Sequence, residues 1–254
     1  MSDEFSPGDP MRSAQKNMRP VVLKRFYASV SAAATEGGFA LLLDGRGART
    51  PAKNRLMFPT RAAAELAARE WAEQGEAIDP STMPVTRIAN SAIDGVASAM
   101  RETRAELTAY AETDLVYYRA GAPEKLVAAE AEAYDPVLDW AHEAYGVRFM
   151  LAEGVIHLRQ HERALQAIRA ELETCDEPFA LASLHVMTTL TGSILVALGV
   201  FRGRFSAADA WRIAHVDEDF QIGQWGEDDE AMARRAARWR EMEAAAKLAA
   251  AVTA

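Results

Sequence analysis

The stretch HVDEDFQIGQWG, from His215 to Gly226, places three consecutive acids inside an apolar pattern of helical period. A helix turns by about 100° per residue, so one helix drawn from Ser206 to Trp225 has two apolar faces. One face carries Trp211, Ala214, Glu218, Ile222 and Trp225, and the opposite face carries Ile213, Val216 and Phe220. Such a helix is predicted to be buried between its neighbours. Glu218 then lies in a buried stripe, where a carboxylate needs a partner or a function.

Two roles for Glu218 fit this pattern equally well. The carboxylate forms a structural pair with His215 or an arginine, or it contacts a binding partner. The neighbouring Asp217 and Asp219 fall between the apolar faces, where an acid is usually solvated. Tryptophans at helical positions are usually core residues, so Trp225 is expected to anchor the end of the helix.

The composition is that of a folded protein with an acidic surface. The chain has 254 residues, half of them hydrophobic, which suffices for one large domain or two modest ones. Its formal net charge of -9 disfavours nucleic acid as a partner, because phosphates bind basic surfaces. Cys175 is the single cysteine, which excludes an intrachain disulfide and fits a reducing compartment. Residues 1–20 lack the apolar core of a secretory signal and are expected to be a disordered leader.

Residues 21–90 are predicted to form a small α/β domain. Between residues 23 and 56, apolar runs alternate with glycine-containing turn signals, which is typical of antiparallel strands. The run DGRG, Asp44 to Gly47, has the glycines of a phosphate loop but no following helix, so a hairpin turn is the simpler interpretation. Thr60 is a suitable N-cap for the helix that carries Trp71.

Residues 91–254 are predicted to form a larger all-helical bundle, which gives the fold class α+β. Helical segments are expected at residues 84–118, 123–145 with an interruption at Asp135-Pro136, 160–174, 178–199, 206–225 and 228–250. Residues 147–158 are the segment in which a short extended pair is expected. Leu184 to Phe201 is nearly long enough for a membrane span, but its threonines favour a buried bundle helix.

Enzyme motifs are weak in this sequence. His157 and His161 have the spacing of two metal ligands on a helix, but no glutamate follows the first histidine as a base. Asp139 and His142 supply only part of a di-metal bundle site. Surface roles are therefore favoured for these residues. An acid/base or metal-dependent enzyme that uses the carboxylates around Glu218 is the alternative function.

Five blocks of sequence, in order across nearly the whole chain, carry a family resemblance. They are KRFYASV (24–30), LDGRGARTPAKNRLMFPT (43–60), LAAREWAEQGEAIDPSTMPVTRIANSAID (66–94), AYAETDLVYYRA (109–120) and DEDFQIGQWG (217–226). Together they resemble the family of ATP synthase assembly chaperones that bind the isolated alpha subunit of the catalytic sector. In mitochondria this is the ATP synthase complex assembly factor 2 family.

The resemblance implies a chaperone without enzymatic activity, cofactor or metal, whose helical bundle is orthogonal. It would bind the unassembled ATP synthase alpha subunit and prevent its aggregation. The important acid of the family falls within residues 217–219, and Glu218 is the chosen position. Many relatives have Arg and Glu where this chain has His215 and Asp217.

Site residues and setting follow from the same resemblance. The expected partner-binding residues are Asp217, Glu218, Asp219, Gln221 and Trp225. The motif residues expected to support the fold are Asp44, Gly45, Arg46, Trp71, Asp94 and Asp114. A bacterial member is expected in the cytoplasm, whereas its eukaryotic relatives are expected in the mitochondrial matrix. It is expected to be a monomer when free and not to insert stably into a membrane.

Overall fold

The computed structural model describes residues 23–154 and 156–253. In this part of the chain a strand-rich N-terminal region is followed by ten α-helices, which confirms the predicted α+β class. The expectation of a leader at residues 1–20 lies outside the described residues.

The N-terminal region is built on an antiparallel hairpin. β1 (Leu23–Lys24) is separate from it and pairs with β6 (Ala77–Ile78). The hairpin joins β2 (Val30–Thr35) to β3 (Gly38–Leu43), and β3 also pairs with β4 (Arg46–Gly47) and β5 (Met57–Phe58).

In the DGRG run, Asp44 and Gly45 form the turn between β3 and β4, and Arg46 and Gly47 are β4 itself. Asp44 and Gly45 have φ angles of 49° and 76°, the left-handed values that a tight two-residue hairpin turn requires. The predicted hairpin turn is therefore confirmed.

Helix α1 (Arg61–Ala72) packs against this sheet. The Thr60 hydroxyl accepts a hydrogen bond from the Ala63 amide at 3.2 Å, as expected of an N-cap. Three alanines of α1 are fully buried, so the helix lies close to the strands: Ala63, Ala64 and Ala67. A 3-10 helix, Pro80–Thr82, leads from β6 to α2 (Pro84–Asp94).

The remaining helices form the bundle. They are α3 (Met100–Tyr110), α4 (Glu124–Tyr145), α5 (Glu162–Glu173), α6 (Pro178–Thr191), α7 (Ile194–Phe201), α8 (Ala207–Ala214), α9 (Val216–Trp225) and α10 (Asp229–Thr253). Two further 3-10 helices cover Val96–Ser98 and Leu115–Tyr117. Within residues 147–158, where a short extended pair is expected, the described residues contain one strand, β8 (Ala152–Glu153). Its partner lies outside that segment and is β7 (Tyr118–Arg119), with which it pairs in parallel.

One continuous core links the sheet to the bundle. Its buried apolar side chains run from the hairpin through α6 and α7 to α10. The Thr60 hydroxyl also donates a hydrogen bond to the Ala251 carbonyl at 2.7 Å, so the last helix is tied back to the start of α1. The predicted domain boundary at residue 90 falls within helix α2, which spans residues 84–94. The division into two domains stays a prediction.

Several predicted helix limits are wrong. The segment 178–199 is interrupted at Gly192, whose φ is 67°, and Ser193 caps α7 through the Val196 amide at 3.0 Å. The segment 206–225 is interrupted at His215, where φ is -119° and ψ is 22°. The segment 84–118 breaks after Asp94. Helix α4, in contrast, continues through Pro136 without the expected interruption.

In the described part of the chain, no helix has both the length and the apolar character needed to cross a bilayer. The apolar stretch from Leu184 to Phe201 is divided between α6 and α7. Ile194, Leu195 and Val196 are fully buried there, which is the buried bundle position that the sequence favours.

Candidate functional site

A surface groove of about 420 Å³ lies between α9 and α10. Five of its lining residues come from α9 or its end: Glu218, Gln221, Ile222, Trp225 and Gly226. The facing wall comes from the start of α10: Asp228, Ala231, Met232, Arg234, Arg235 and Arg238. The α9–α10 groove thus contains Glu218, Gln221 and Trp225, three of the residues predicted to bind a partner.

Local sequence positions the two walls of the groove. Helix α9 ends at Gly226, which has φ 89° and ψ 177° and redirects the chain. The Asp228 carboxylate then accepts a hydrogen bond from the Ala231 amide at 2.7 Å and caps the start of α10. Because so few residues connect the helices, the end of α9 and the start of α10 stay side by side.

Helix α9 lies on the surface of the bundle. None of its ten residues is buried. The prediction that Glu218 lies in a buried stripe is wrong, since the Glu218 side chain is 53% exposed. The helical phase counted from Trp211 does not carry through the break at His215, so the two halves of the pattern belong to different helices.

The three acids of α9 point in different directions. Asp219 forms an ion pair with Arg235 on α10. Burial raises the pKa of Glu130 on α4, and the charge of the exposed Asp217 acts in the same direction. Glu218 faces the groove, and its Oε2 atom lies 4.0 Å from His215 Nε2, a distance too long for a hydrogen bond.

The arginines of the groove wall are already engaged within the protein. Arg234 pairs with Glu230 one helical turn before it, and Arg235 pairs with Asp219. Arg238 donates a hydrogen bond to the Leu190 carbonyl at 2.9 Å. The Glu218 carboxylate is therefore the charge in this groove with the most unused hydrogen-bonding capacity.

Trp225 does not anchor the helix end in the core as predicted, because its side chain is 80% exposed. The same groove contains the partly buried Ile222 and Met232. An indole that stays in water beside an apolar floor is typical of an interaction surface.

His215 connects the groove to the core. His215 is buried, and the centroid of its ring lies 3.8 Å from that of the Trp211 ring. The His215 Nδ1 atom lies 2.7 Å from the Trp211 carbonyl oxygen. Burial lowers the pKa of His215; Arg235 and Arg238 act in the same direction, while the Trp211 carbonyl and Glu218 oppose them. A neutral imidazole does not offset the negative charge of Glu218, so that carboxylate stays available to pair with a cationic group of a partner.

The other predicted motif acids accept hydrogen bonds inside the fold. Asp44 accepts from the Ala28 amide at 3.0 Å and from the Ser29 amide at 2.7 Å, and these bonds lower the pKa of Asp44. With Gly45 it forms the hairpin turn already described, and Arg46 begins the strand that follows. The role of Asp44 is to join the turn to the start of β2.

Asp94 connects α2 to the hairpin extension that follows β4. Its carboxylate accepts from the Thr50 hydroxyl at 2.6 Å, the Asn54 amide group at 2.9 Å and the Ala52 amide at 3.1 Å. The Thr50 hydrogen bond is the main reason that the pKa of Asp94 is lowered. Asp94 therefore supports the fold at the junction of the two regions.

Asp114 is completely buried and serves two short helices at once. It accepts from the Val116 amide at 3.1 Å and from the Leu195 amide, in the first turn of α7, at 3.0 Å. Burial raises the pKa of Asp114 to about 6, against the hydrogen bonds from Ser193, Leu195 and Val116. It is a structural connector between chain segments about eighty residues apart.

Trp71 is also part of the fold. Its ring packs 5.6 Å from the Tyr27 ring, and the Tyr27 hydroxyl donates to the Trp71 carbonyl at 2.7 Å. These contacts join α1 to the segment before β2.

The residues weighed for metal or acid/base chemistry do not converge. His157 and His161 are exposed and lie before α5 instead of sharing one of its faces. His142 Nδ1 lies 3.1 Å from the Val147 carbonyl. Across residues 23–154 and 156–253, no three His, Cys, Asp or Glu side chains form a group able to hold a metal ion.

Sequence reasoning missed one carboxylate, Glu130. It lies on the buried face of α4 with Tyr134, Val137 and Ala141, at spacings of four, three and four residues. An apolar stripe of the same helical spacing led to the prediction that Glu218 is buried. At Glu130 this spacing identifies an acid that is 3% exposed.

Comparison with known proteins identifies the family. The family model described as ATP12 chaperone protein matches residues 24–142. A crystal structure of an Agrobacterium tumefaciens protein is 46% identical, covers 97% of this chain and 92% of that chain, and has a TM-score of 0.87. Atp12 from Paracoccus denitrificans and a mutant of it are each 43% identical, cover 91% of this chain and 98% of theirs, and have a TM-score of 0.83. The chain is therefore a bacterial member of the ATP12 chaperone family.

Proposed function

We propose that this protein binds the unassembled alpha subunit of the ATP synthase catalytic sector and prevents its aggregation. This is a specific task within the chaperone role in ATP synthase assembly that family membership indicates. The observation that carries the proposal is the α9–α10 groove, which combines an exposed indole, an apolar floor and one uncommitted carboxylate.

The composition of the groove suits the surface of an unassembled subunit. Such a subunit exposes apolar interface that aggregates unless another protein covers it. Exposed aromatic side chains supply much of the free energy in protein interfaces, so Trp225 is suited to cover an apolar side chain of the client. Glu218 supplies a charged hydrogen bond to a basic group beside it. Gln221 adds a neutral polar contact on the same wall.

The two flanking acids have a different place in this proposal. Asp219 pairs with Arg235 on α10, so it holds α9 in position while Glu218 meets the client. Asp217 stays a proposed partner-binding residue beside Glu218.

Family and structural neighbours indicate a role other than catalysis. The alternative of an acid/base or metal-dependent enzyme around Glu218 needs carboxylates that converge on one reacting centre. Asp217, Glu218 and Asp219 diverge toward α4, the groove and α10, so the geometry offers that alternative no support.

We also propose that the protein acts in the bacterial cytoplasm as a free monomer that binds one alpha subunit. The single cysteine fits a reducing compartment.

Co-expression with the alpha subunit tests the proposal. The subunit alone is expected to be mostly insoluble, and co-expression is expected to yield a soluble one-to-one complex in size-exclusion chromatography. Glu218→Lys is expected to lose this effect, whereas Glu132→Lys, at an exposed acid of α4, is expected to keep it. If the alpha subunit stays insoluble with the parent protein, the proposal is wrong.

A further inference from the structure

A second groove, of about 510 Å³, lies at the end of the N-terminal sheet where β3 turns into β4. This N-terminal groove shares no lining residue with the α9–α10 groove. Its lining includes three aromatic and three charged residues: Phe26, Tyr27, Trp71, Asp44, Arg46 and Arg49. The client contact proposed for the α9–α10 groove leaves this surface unused.

Phe26 presents an aromatic ring to solvent from a fixed position. The residue is 64% exposed, and its ring lies edge-on to the ring of the buried Tyr27, with 5.4 Å between the two centroids. Tyr27 is held by the hydrogen bond from its hydroxyl to the Trp71 carbonyl and by Arg25, whose guanidinium lies 4.7 Å above the Tyr27 ring. A ring on such a support loses little conformational entropy on binding, so Phe26 is suited to cover an apolar side chain of a partner.

The arginines at the rim of the N-terminal groove have no acidic partner. Arg46 and Arg49 are exposed, and across the part of the chain that the structure describes no ion pair involves either of them. The nearby Asp44 is engaged elsewhere, because its two carboxylate oxygens accept hydrogen bonds from the amides of Ala28 and Ser29. Both guanidinium groups are therefore available to a carboxylate of a partner.

The region around this groove is basic in a protein that is acidic as a whole. Residues 23–55 have a formal charge of +4, whereas the whole chain has -9. Two acids, Glu36 and Asp44, stand there against six cations: Lys24, Arg25, Arg46, Arg49, Lys53 and Arg55. A local positive field attracts a short acidic segment. The excess of acid elsewhere disfavours nucleic acid or an anionic bilayer, which would meet much more of the surface.

We propose that the N-terminal groove is a second client-binding site, which takes an extended segment with an acidic side chain beside a large apolar one. The inference rests on the proposed function, because it assigns that segment to the unassembled alpha subunit. The apolar side chain packs against Phe26. The acidic side chain pairs with Arg46, since the planar guanidinium matches the geometry of a carboxylate.

The two grooves offer opposite charges to the client. Glu218 in the α9–α10 groove selects a basic group, and Arg46 in the N-terminal groove selects an acidic one. A client that engages both grooves is bound in one orientation, because exchange of its two segments would bring like charges together.

Fluorescence anisotropy with two short labelled peptides tests the chemistry of the N-terminal groove. The peptides differ only in their core, which is Glu-Asp-Leu-Phe in one and Gln-Asn-Leu-Phe in the other. The parent protein is expected to bind the acidic peptide about tenfold more tightly, the effect of one charged hydrogen bond. This preference should shrink as salt is added. Equal affinity for the two peptides, or no binding of the acidic one, would overturn the proposal.

Two variants, each with a matched control, locate the binding. Arg46→Glu is expected to weaken binding of the acidic peptide about tenfold. Arg55→Glu makes the same charge change at an exposed arginine outside the groove and should keep the parent affinity. Phe26→Ala should also weaken binding, whereas Leu23→Ala, at an apolar residue that is 53% exposed outside the groove, should not. Parent-like affinity in both Arg46→Glu and Phe26→Ala contradicts the proposal.

Other occupants of the groove give different results. The sequence Asp3-Glu4-Phe5 has the same chemistry as the proposed segment, so Asp3→Asn, Glu4→Gln and Phe5→Ala are combined in the full chain. If only this triple variant binds the acidic peptide, the occupant is the chain's own N-terminal segment and the proposal is wrong. A dimer of the parent in light scattering that Arg46→Glu abolishes would assign the groove to a second copy, which also contradicts it.

Binding of the alpha subunit separates this inference from the proposed function. Arg46→Glu is expected to weaken calorimetric binding of the alpha subunit about tenfold, and Arg55→Glu is not. If the parent protects the alpha subunit and Arg46→Glu protects it equally well, the inference fails while the proposed function stands. If the parent binds the acidic peptide through Arg46 but does not protect the alpha subunit, the proposed function fails while the chemistry assigned to this groove stands.

Discussion

The motif acids Asp94 and Asp114 differ from Glu218 on α9 in how much of their hydrogen-bonding capacity the protein itself uses. Asp94 accepts bonds from groups more than forty residues away in sequence, and Asp114 accepts one from the neighbouring Val116 amide and one from the distant Leu195 amide. Glu218 has only a 4.0 Å approach to His215 and opens onto a groove. An acid whose acceptors are occupied connects elements of the fold, and an acid with spare acceptors is available to a partner.

Asp114→Ala is expected to have the largest effect on stability. The substitution leaves the Val116 and Leu195 amides buried without an acceptor and removes caps from two helices. Each such loss costs on the order of 1–3 kcal/mol, so a total of about 3 kcal/mol is expected. Urea unfolding followed by circular dichroism measures it. Asp139→Ala, at an exposed acid of α4, is the control, and an equal midpoint for the two variants would contradict the connector role.

A smaller effect is expected at the same residue: its contribution to the free energy of unfolding should depend on pH. The pKa of Asp114 is raised from 3.8 to about 6 in the folded protein, so folding favours its protonated form. The stability of the parent relative to Asp114→Asn should therefore fall as pH rises from about 4 to about 6. Urea midpoints of both proteins at several pH values test this; a difference that stays constant with pH would refute it.

Glu218→Gln and Trp225→Ala are expected to change stability least. Both side chains are largely exposed, and surface substitutions of this kind usually stay within about 0.5 kcal/mol. Binding of the alpha subunit should nevertheless weaken about tenfold with Glu218→Gln, the loss of one charged hydrogen bond. Calorimetric or light-scattering titration against the alpha subunit measures this. Parent-like binding by both variants would place the client elsewhere.

Local sequence signals predicted the parts of this fold that depend on neighbouring residues alone. The Asp44-Gly45 turn follows from the need for two left-handed residues in a tight hairpin, and the Thr60 cap follows from its hydroxyl. The fold class followed from the order of strand-like and helical patterns. These features need no knowledge of the tertiary packing.

Helix breaks and side-chain directions depended on packing and were harder to predict. A uniform helical phase through His215 put Glu218 and Trp225 into the core, but the chain turns at that residue and leaves both exposed. Helical periodicity gives the correct result for Glu130, which is buried, because α4 runs without a break past Pro136. The periodicity of a buried stripe is thus informative only within one unbroken helix, and a sequence does not mark where such a helix ends as clearly as where it begins.

Site-specific photo-crosslinking tests the central claim most directly. Benzoylphenylalanine in place of Trp225 would lie in the α9–α10 groove, and the same group in place of Ile156, which is 75% exposed, serves as an apolar control on a loop. With unfolded alpha subunit diluted into the mixture, position 225 is expected to crosslink to the subunit and position 156 is not. Crosslinks from position 156 without any from position 225 would contradict the account.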